Sequence, residues 1–386
     1  MCIRDRLYIH IPFCVRKCSY CDFLSAPATE QTREAYMAAL FAEIGGRAKD
    51  YSDRTVTSIF IGGGTPSLLS GEQIGQLMDR IREQFAMAQD AEITMEVNPG
   101  TASAEKLRNF YTAGINRLSI GMQSAQAEEL KNLGRIHDFE GFCQVYREAV
   151  EAGFTNINVD IMSGLPGQTL ASYRDTLEKV LHLEPMPQHI SAYSLIVEEG
   201  TPFAAMAERG ELPLPEEETE RAMYEETIEV LAKYGFHRYE ISNYARDGYE
   251  CRHNVGYWIR RDYLGFGIGA ASLIDNVRFQ NEKSLGAYLA HPLESREEEQ
   301  TLTVQDRMEE TMFLGLRLTR GVSCVDFAEQ YGRTVEEVYG EVIARNVADG
   351  LLTVTERKEN QKKDRLLALT KRGLDLSNYV MAQFLF

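Results

Sequence analysis

The hydrophobic pattern along the first half of the chain alternates between two periods. Short apolar runs read as strands at Leu7–Phe13, Val56–Ile61, Glu92–Val97, Arg117–Ile120, Asn156–Ile161 and His189–Ser194. Between them lie stretches with helical spacing: Glu30–Lys49, Gly71–Phe85, Ala104–Ala113, Ala127–Leu133, Phe139–Ala152 and Leu170–Leu183. Strands that alternate with helices of ten or more residues predict a parallel sheet with right-handed crossovers. Six such units predict an α/β fold, an incomplete (β/α)6 barrel, with a doubly wound open sheet as the alternative. Both folds gather ligands at the carboxyl ends of their strands.

Past residue 200 the pattern changes. A helix to about Tyr234 is followed by Tyr239–Ala245 and Cys251–Trp258, then by a stretch at Leu264–Ser272 too rich in glycine for an ordinary core element. Residues 292–303 are acidic and loop-like. From Val304 onward, helices precede two short strands, Leu351–Thr355 and Arg365–Leu369, an arrangement similar to a winged helix. The expected division is 1–200 for the barrel, 201–300 for an extension and 301–386 for a C-terminal winged-helix-like α+β domain. That last part has nearly balanced charge, which favours a stabilising or interaction role over DNA binding.

Composition narrows the function. The chain has 386 residues, 44% hydrophobic and 26% charged, as expected of a soluble globular protein. No apolar run is long enough to span a membrane, and the start lacks the apolar core of a signal peptide. The hexapeptide Met1–Arg6 fits poorly with the strand after it. A net charge of −17 argues against general nucleic-acid binding. Seven cysteines, three of them bunched, point to a reducing cytoplasm rather than a disulfide framework.

The bunched cysteines carry the strongest chemistry. Cys14, Cys18 and Cys21 are spaced C-x3-C-x2-C immediately after the first strand. Three close thiolates fall short of the four ligands of a structural zinc, unless His10 or a distant group completes it. They can hold three irons of a [4Fe–4S] cluster and leave the fourth open. Other unusual residues also fall at strand ends: Gly62-Gly63-Gly64-Thr65 after the second, Glu96 at the third, Gln123 after the fourth, Asp160 at the fifth and Tyr193 at the sixth. Topology alone gathers them at one mouth. Singly, each reads as a turn, cap or solvated residue.

The motif C-x3-C-x2-C followed by Asp22-Phe23 resembles the radical S-adenosylmethionine (SAM) superfamily. That resemblance implies that SAM chelates the open iron. It further implies contacts to SAM from Tyr8, Tyr20, Gly63, Gly64, Thr65, Glu96, Gln123, Arg135 and Asp160. Tyr8–Cys14, Gly62–Pro66, Gly121–Ser124 and Gly164–Thr169 narrow the resemblance to the oxygen-independent coproporphyrinogen III oxidase group. The oxidase branch carries a fourth cysteine two residues after the third, where this chain has Phe23, and a longer segment ahead of the cluster. The HemW branch shares Tyr20-Cys21-Asp22-Phe23 and His253-Asn254-x-x-Tyr257-Trp258, and the likeness runs end to end.

That branch implies a cytoplasmic haem chaperone that binds haem alongside the cluster and SAM. It would pass haem to an acceptor protein, which can be membrane-bound, and it could form a homodimer. The runner-up is a radical SAM oxidase acting on coproporphyrinogen III. A zinc-stabilised binding protein is the third reading. His253 is the candidate haem ligand, with Tyr257 and Trp258 as flat apolar surface. Core packing of the same residues is the competing reading. Cys251, His10 and Cys2 are rival ligands.

Overall fold

The computed structural model describes residues 3–51, 53–294, 296–359 and 362–385. Six parallel strands form its centre: β1 (Ile3–Ile11), β2 (Arg54–Gly63), β3 (Ala86–Val97), β4 (Arg117–Gln123), β5 (Ile157–Ser163) and β6 (His189–Ser194). They pair in sequence order, each parallel to the next. The strands alternate: one face packs apolar side chains against the crossover helices, and in β4–β6 the other carries polar side chains toward the inside of the barrel. Ile9, Ile11, Ile59, Ile61, Met95, Leu118, Ile120, Val159 and Ile161 are all buried. The crossover helices bury one stripe each: Ile74, Leu77, Met78 and Ile81 in Gly71–Gln84, and Phe142, Val145, Tyr146 and Ala149 in Phe139–Ala152.

The sheet continues beyond the six units at both edges. β7 (His237–Arg238) and β8 (Asn243–Ala245) add antiparallel to β6. On the other side β9 (Tyr263–Phe266) pairs parallel with β1, followed by β10 (Ala271–Ile274), β11 (Val277–Asn281) and β12 (Arg296–Thr301). The sheet thus has twelve strands in the order β12-β11-β10-β9-β1-β2-β3-β4-β5-β6-β8-β7.

Three of these strands depart from the sequence expectation. The glycine-rich stretch forms β9 and β10, because a Cβ at Gly265 would collide with the Ala271 carbonyl where the two backbones approach. The acidic stretch forms β12, an exposed outer strand whose Arg296 lies back over the Phe279 ring and donates to Tyr51 Oη at 2.6 Å. β1 also begins earlier than expected: Asp5 is buried against Arg54, at 2.7 Å.

Glu43 locks the added strands onto the barrel. Its buried carboxylate accepts from Tyr288 Oη (2.6 Å), Asn281 Nδ2 (2.7 Å) and the Gly267 N–H (2.9 Å), and it pairs with Arg47 at 2.8 Å. One side chain of the first crossover helix therefore ties together the β9–β10 turn, β11 and the helix Leu285–Ala290. A second core lies in the C-terminal part, where Met312, Leu316, Phe327, Val335, Leu367 and Phe384 pack beside a three-stranded antiparallel sheet. Among the described residues no helix is long and apolar enough to cross a membrane.

Replacing one partner of a buried charged network leaves the others unpaired, which costs about 3–5 kcal/mol. Glu43→Ala is therefore expected to lower the urea midpoint sharply, with amide exchange rising first in β9–β11. A loss below about 1 kcal/mol would show that the network does not hold this edge.

Candidate functional site

The parallel register delivers its strand ends to one cavity of about 380 Å³. Side chains two apart along a strand share a face, so each strand contributes a column. β4 supplies Arg117, Ser119, Gly121 and Gln123; β5 supplies Asn158, Asp160 and Met162; β6 supplies His189, Ser191 and Tyr193. The cysteine loop forms the rim with Cys14, Cys18, Tyr20, Cys21 and Phe23. Gly63, Gly64, Thr65, Glu96 and Arg135 complete the wall, and Asn254 closes the floor.

Backbone bonds shape the cysteine loop. Cys14 N–H donates to Ala26 O at 3.1 Å, Ser19 N–H to Leu133 O at 3.0 Å, and Cys21 N–H to Cys18 O at 3.3 Å. All three thiols are free and partly accessible. Thr65 Oγ1 lies 3.4 Å from Cys14 Sγ, and Arg135 Nη1 lies 3.8 Å from Cys18 Sγ. Donors of this kind are what the sulfurs of a bound iron cluster would meet. Among the described residues no three His, Cys, Asp or Glu side chains converge tightly enough for a single metal ion. The three thiols line one cavity, and three thiolates are the donor set that a [4Fe–4S] cluster uses, one fewer than a structural zinc takes.

Gly64 explains the glycine run. Its N–H donates to Ile11 O at 2.8 Å, and a Cβ there would meet Phe13 O at 2.7 Å and Phe13 N at 2.8 Å. The turn after β2 is thus pressed against the strand that launches the cysteine loop, and only glycine fits. Glu96 accepts from the Gly63 N–H at 3.1 Å. Burial pushes its carboxyl up to about 7; the neighbouring Asp160 adds to this and the Gly63 bond opposes it. Asp160 is also raised by burial, although Asn158 Nδ2 (2.7 Å) and Ser119 Oγ (3.3 Å) donate to it. Two such carboxyls favour a ligand carrying positive charge and hydroxyl donors, as SAM does. Arg135 donates to Gly121 O at 2.7 Å and keeps its Nε unpartnered. Gln123 sits at φ +69 at a register shift between β4 and β5, turning the strand end into the mouth.

The other sequence candidates fall elsewhere. Tyr8 lines a neighbouring cavity of about 410 Å³ with His10, Phe23, Glu96, Tyr257 and Tyr263. Its hydroxyl is 3.0 Å from His10 Nδ1, and His10 Nε2 is 2.8 Å from Leu24 O. His253 is in the core, not on a cavity wall. Its Nδ1 is 3.0 Å from Ser58 Oγ and its Nε2 is 3.3 Å from Tyr257 Oη, so neither ring nitrogen is open to an outside iron. Trp258 stacks under the Arg317 guanidinium, 4.3 Å from the ring centre. Cys251 is fully buried, and burial pushes its thiol up to about 12. Cys2 lies outside the described residues.

What holds that segment is Glu92, which accepts from the Arg252 and His253 N–H groups, both at 3.0 Å. The helix Arg252–Trp258 is thereby fixed beneath the barrel with Asn254 facing up. From the sequence, Arg117 and His189 are named only as strand positions and Asn254 only as part of a motif, and none of them is assigned to the site. Their signal was polar residues spaced two apart in apolar strands, Arg117-x-Ser119 and His189-x-Ser191.

Gly64→Ala is expected to distort the cysteine loop and lower iron and sulfide content after anaerobic reconstitution, at unchanged helicity; full iron incorporation would refute the steric argument. Glu96 supplies a pH test. Between the ordinary glutamate value and about 7, the folded chain keeps a proton that the unfolded chain has released. Stability then falls as pH rises through that window and levels off above it, by about 2 kcal/mol once solvent in the cavity is allowed for. Melting across that range is expected to show a smaller slope in Glu96→Gln; an identical slope would remove Glu96 as its source.

The pattern of the Radical SAM superfamily matches residues 8–180, and that of the HemN C-terminal domain matches residues 302–376. The chain is 38% identical to the heme chaperone HemW of Bacillus subtilis over 385 residues, covering 98% of each. It is 36% identical to heme chaperone HemW of Lactococcus lactis, covering 98% of this chain and 96% of that one. For the Escherichia coli heme chaperone HemW the identity is 37%, with 90% and 91% covered. Among solved structures, the radical SAM enzyme coproporphyrinogen III oxidase (HemN) of Escherichia coli superposes with a TM-score of 0.85 at 28% identity, covering 100% of this chain and 91% of that one. With the three-cysteine mouth, the six-strand barrel and this near full-length identity, the chain belongs to the HemW family of the radical SAM superfamily.

Proposed function

We propose that this protein is a haem chaperone: it binds haem next to a [4Fe–4S] cluster and SAM, and passes the haem to an acceptor protein. The observation that carries the reading is the near full-length likeness to proteins named heme chaperone HemW, read together with Phe23. Phe23 stands where the oxidase branch has its fourth cysteine, and its ring is 58% exposed at the rim. An apolar ring there offers a contact for a flat macrocycle in place of a thiol.

Cys14, Cys18 and Cys21 would hold the cluster, which supplies an iron with an open position when bound. Arg135 would orient a ligand carboxylate by charge-assisted bonds, and Glu96 with Asp160 would accept from ribose hydroxyls. Tyr20, Gly63, Gly64, Thr65 and Gln123 would shape the same pocket, with Tyr8 acting through the adjoining cavity. The barrel at 1–200 would carry this site, the 201–300 extension would close its floor, and the 301–386 part would brace the extension through Arg317 and Trp258.

On this geometry His253 is a strut rather than an iron ligand. Haem titration of the reconstituted protein, followed by its Soret band, is expected to saturate near one haem per chain, and His253→Ala is expected to keep that stoichiometry while melting earlier. Loss of haem from His253→Ala at intact fold would make His253 the ligand after all. Absence of saturable haem binding, or formation of protoporphyrinogen from coproporphyrinogen III with SAM and reductant, would overturn the chaperone reading in favour of an oxidase.

A further inference from the structure

Arg117 begins β4 at the bottom of the barrel and is 2% exposed, yet its side chain forms part of the cavity wall. Its Nε has no hydrogen-bond partner. Among the described residues its guanidinium makes no hydrogen bond and no ion pair. The other buried arginines have partners: Arg6, which likewise pairs with no carboxylate, donates to the His253 and Arg261 carbonyls at 2.7 and 2.6 Å. Arg54 pairs with Asp5, Asp262 and Asp275; Arg47 pairs with Glu43; Arg260 pairs with Glu310. A buried cation without a partner costs several kcal/mol, and chains normally avoid it.

The two carboxylates nearest in the electrostatic field of Arg117 are engaged elsewhere. Glu92 caps the helix Arg252–Trp258, and Asp160 is bonded by Asn158 and Ser119. They attract the guanidinium without satisfying it. Asn254 faces the same floor. His189, also on the floor, has both ring nitrogens occupied, by Asn158 Oδ1 (2.6 Å) and Tyr239 Oη (2.8 Å), so it competes for no ligand. The free donors at the bottom of the barrel are therefore the guanidinium fork of Arg117 and the amide of Asn254. That donor set matches a carboxylate.

We propose that the barrel floor is a carboxylate-recognition site in which Arg117, assisted by Asn254, receives a propionate arm of the bound porphyrin. The assignment rests on the haem reading above for the identity of the carboxylate. In that reading the carboxylate of SAM is used at the open iron, so the floor needs a second molecule. An edge-on macrocycle would keep its apolar face against Tyr193 and Met162 while one arm reaches down the β4 column.

The test compares haem, haem dimethyl ester and SAM on the reconstituted full-length protein and on Arg117→Gln and Arg117→Lys. A charge-assisted pair corresponds to about a 10- to 100-fold change in affinity. Wild type is expected to bind haem that much more tightly than the ester. Arg117→Gln should lose this preference at unchanged SAM affinity, and Arg117→Lys should keep part of it. Equal binding of haem and ester by wild type would overturn the proposal and leave the chaperone reading intact; this comparison needs no variant to fold. Weakened SAM binding in Arg117→Gln, with haem unchanged, would overturn it as well, by giving the floor to SAM. Failure of wild type to bind haem at all would remove the chaperone reading and this assignment together.

Discussion

The parallel register of β1–β6 is the constraint on which the rest of the structure depends. Hydrogen bonds between neighbouring parallel strands fix where each strand ends relative to the next, and a one-residue slip would turn every column to the opposite face. With the register set, Tyr8 and His10 point from β1 to one side, and Ser119, Gly121 and Gln123 from β4 into the mouth. The cysteines, glycines and carboxyls are separated by up to about 150 residues in sequence. They meet only because six strand ends are held level.

A barrel of six strands leaves two open edges, and an open edge is both a pairing hazard and a leak for water. This chain covers them with its own later segments. β9–β12 extend the β1 side and are locked by Glu43, while β7 and β8 extend the β6 side. The floor is closed differently, by a short helix whose first N–H groups rest on Glu92. The His-Asn-x-x-Tyr-Trp segment thereby becomes a load path between barrel and C-terminal part: His253 bonds to β2, Asn254 faces the cavity, and Trp258 lies under Arg317.

The electrostatics of the cavity divide by depth. Near the rim, donors from Thr65 and Arg135 approach sulfur, an arrangement that suits the thiolate ligands of an iron cluster. In the middle, Glu96 and Asp160 are raised by burial and invite a cation with hydroxyl donors. At the floor, Arg117 reverses the sign. A site graded in this way is suited to more than one ligand at a time, each held at its own level.

Much of this was legible in the chain itself. Apolar runs at β-period and stripes at helical period specify six β/α units, and the spacing of Cys14, Cys18 and Cys21 marks a candidate soft-metal site, because both are local properties of a short segment. The topology then implies that Glu96, Gln123 and Asp160 share a mouth with them. Other features rest on contacts across hundreds of residues. Whether His253 is a ligand or a strut depends on Ser58, and whether glycine-rich Leu264–Ser272 is a loop or two strands depends on the free edge of β1. That Arg117 lacks a partner among the described residues depends on which carboxylates Arg252, Asn158 and Ser119 have already occupied. Local sequence determines which groups exist and how they are spaced; only the tertiary structure decides which are left over, because pairing is settled by what else arrives at the same place.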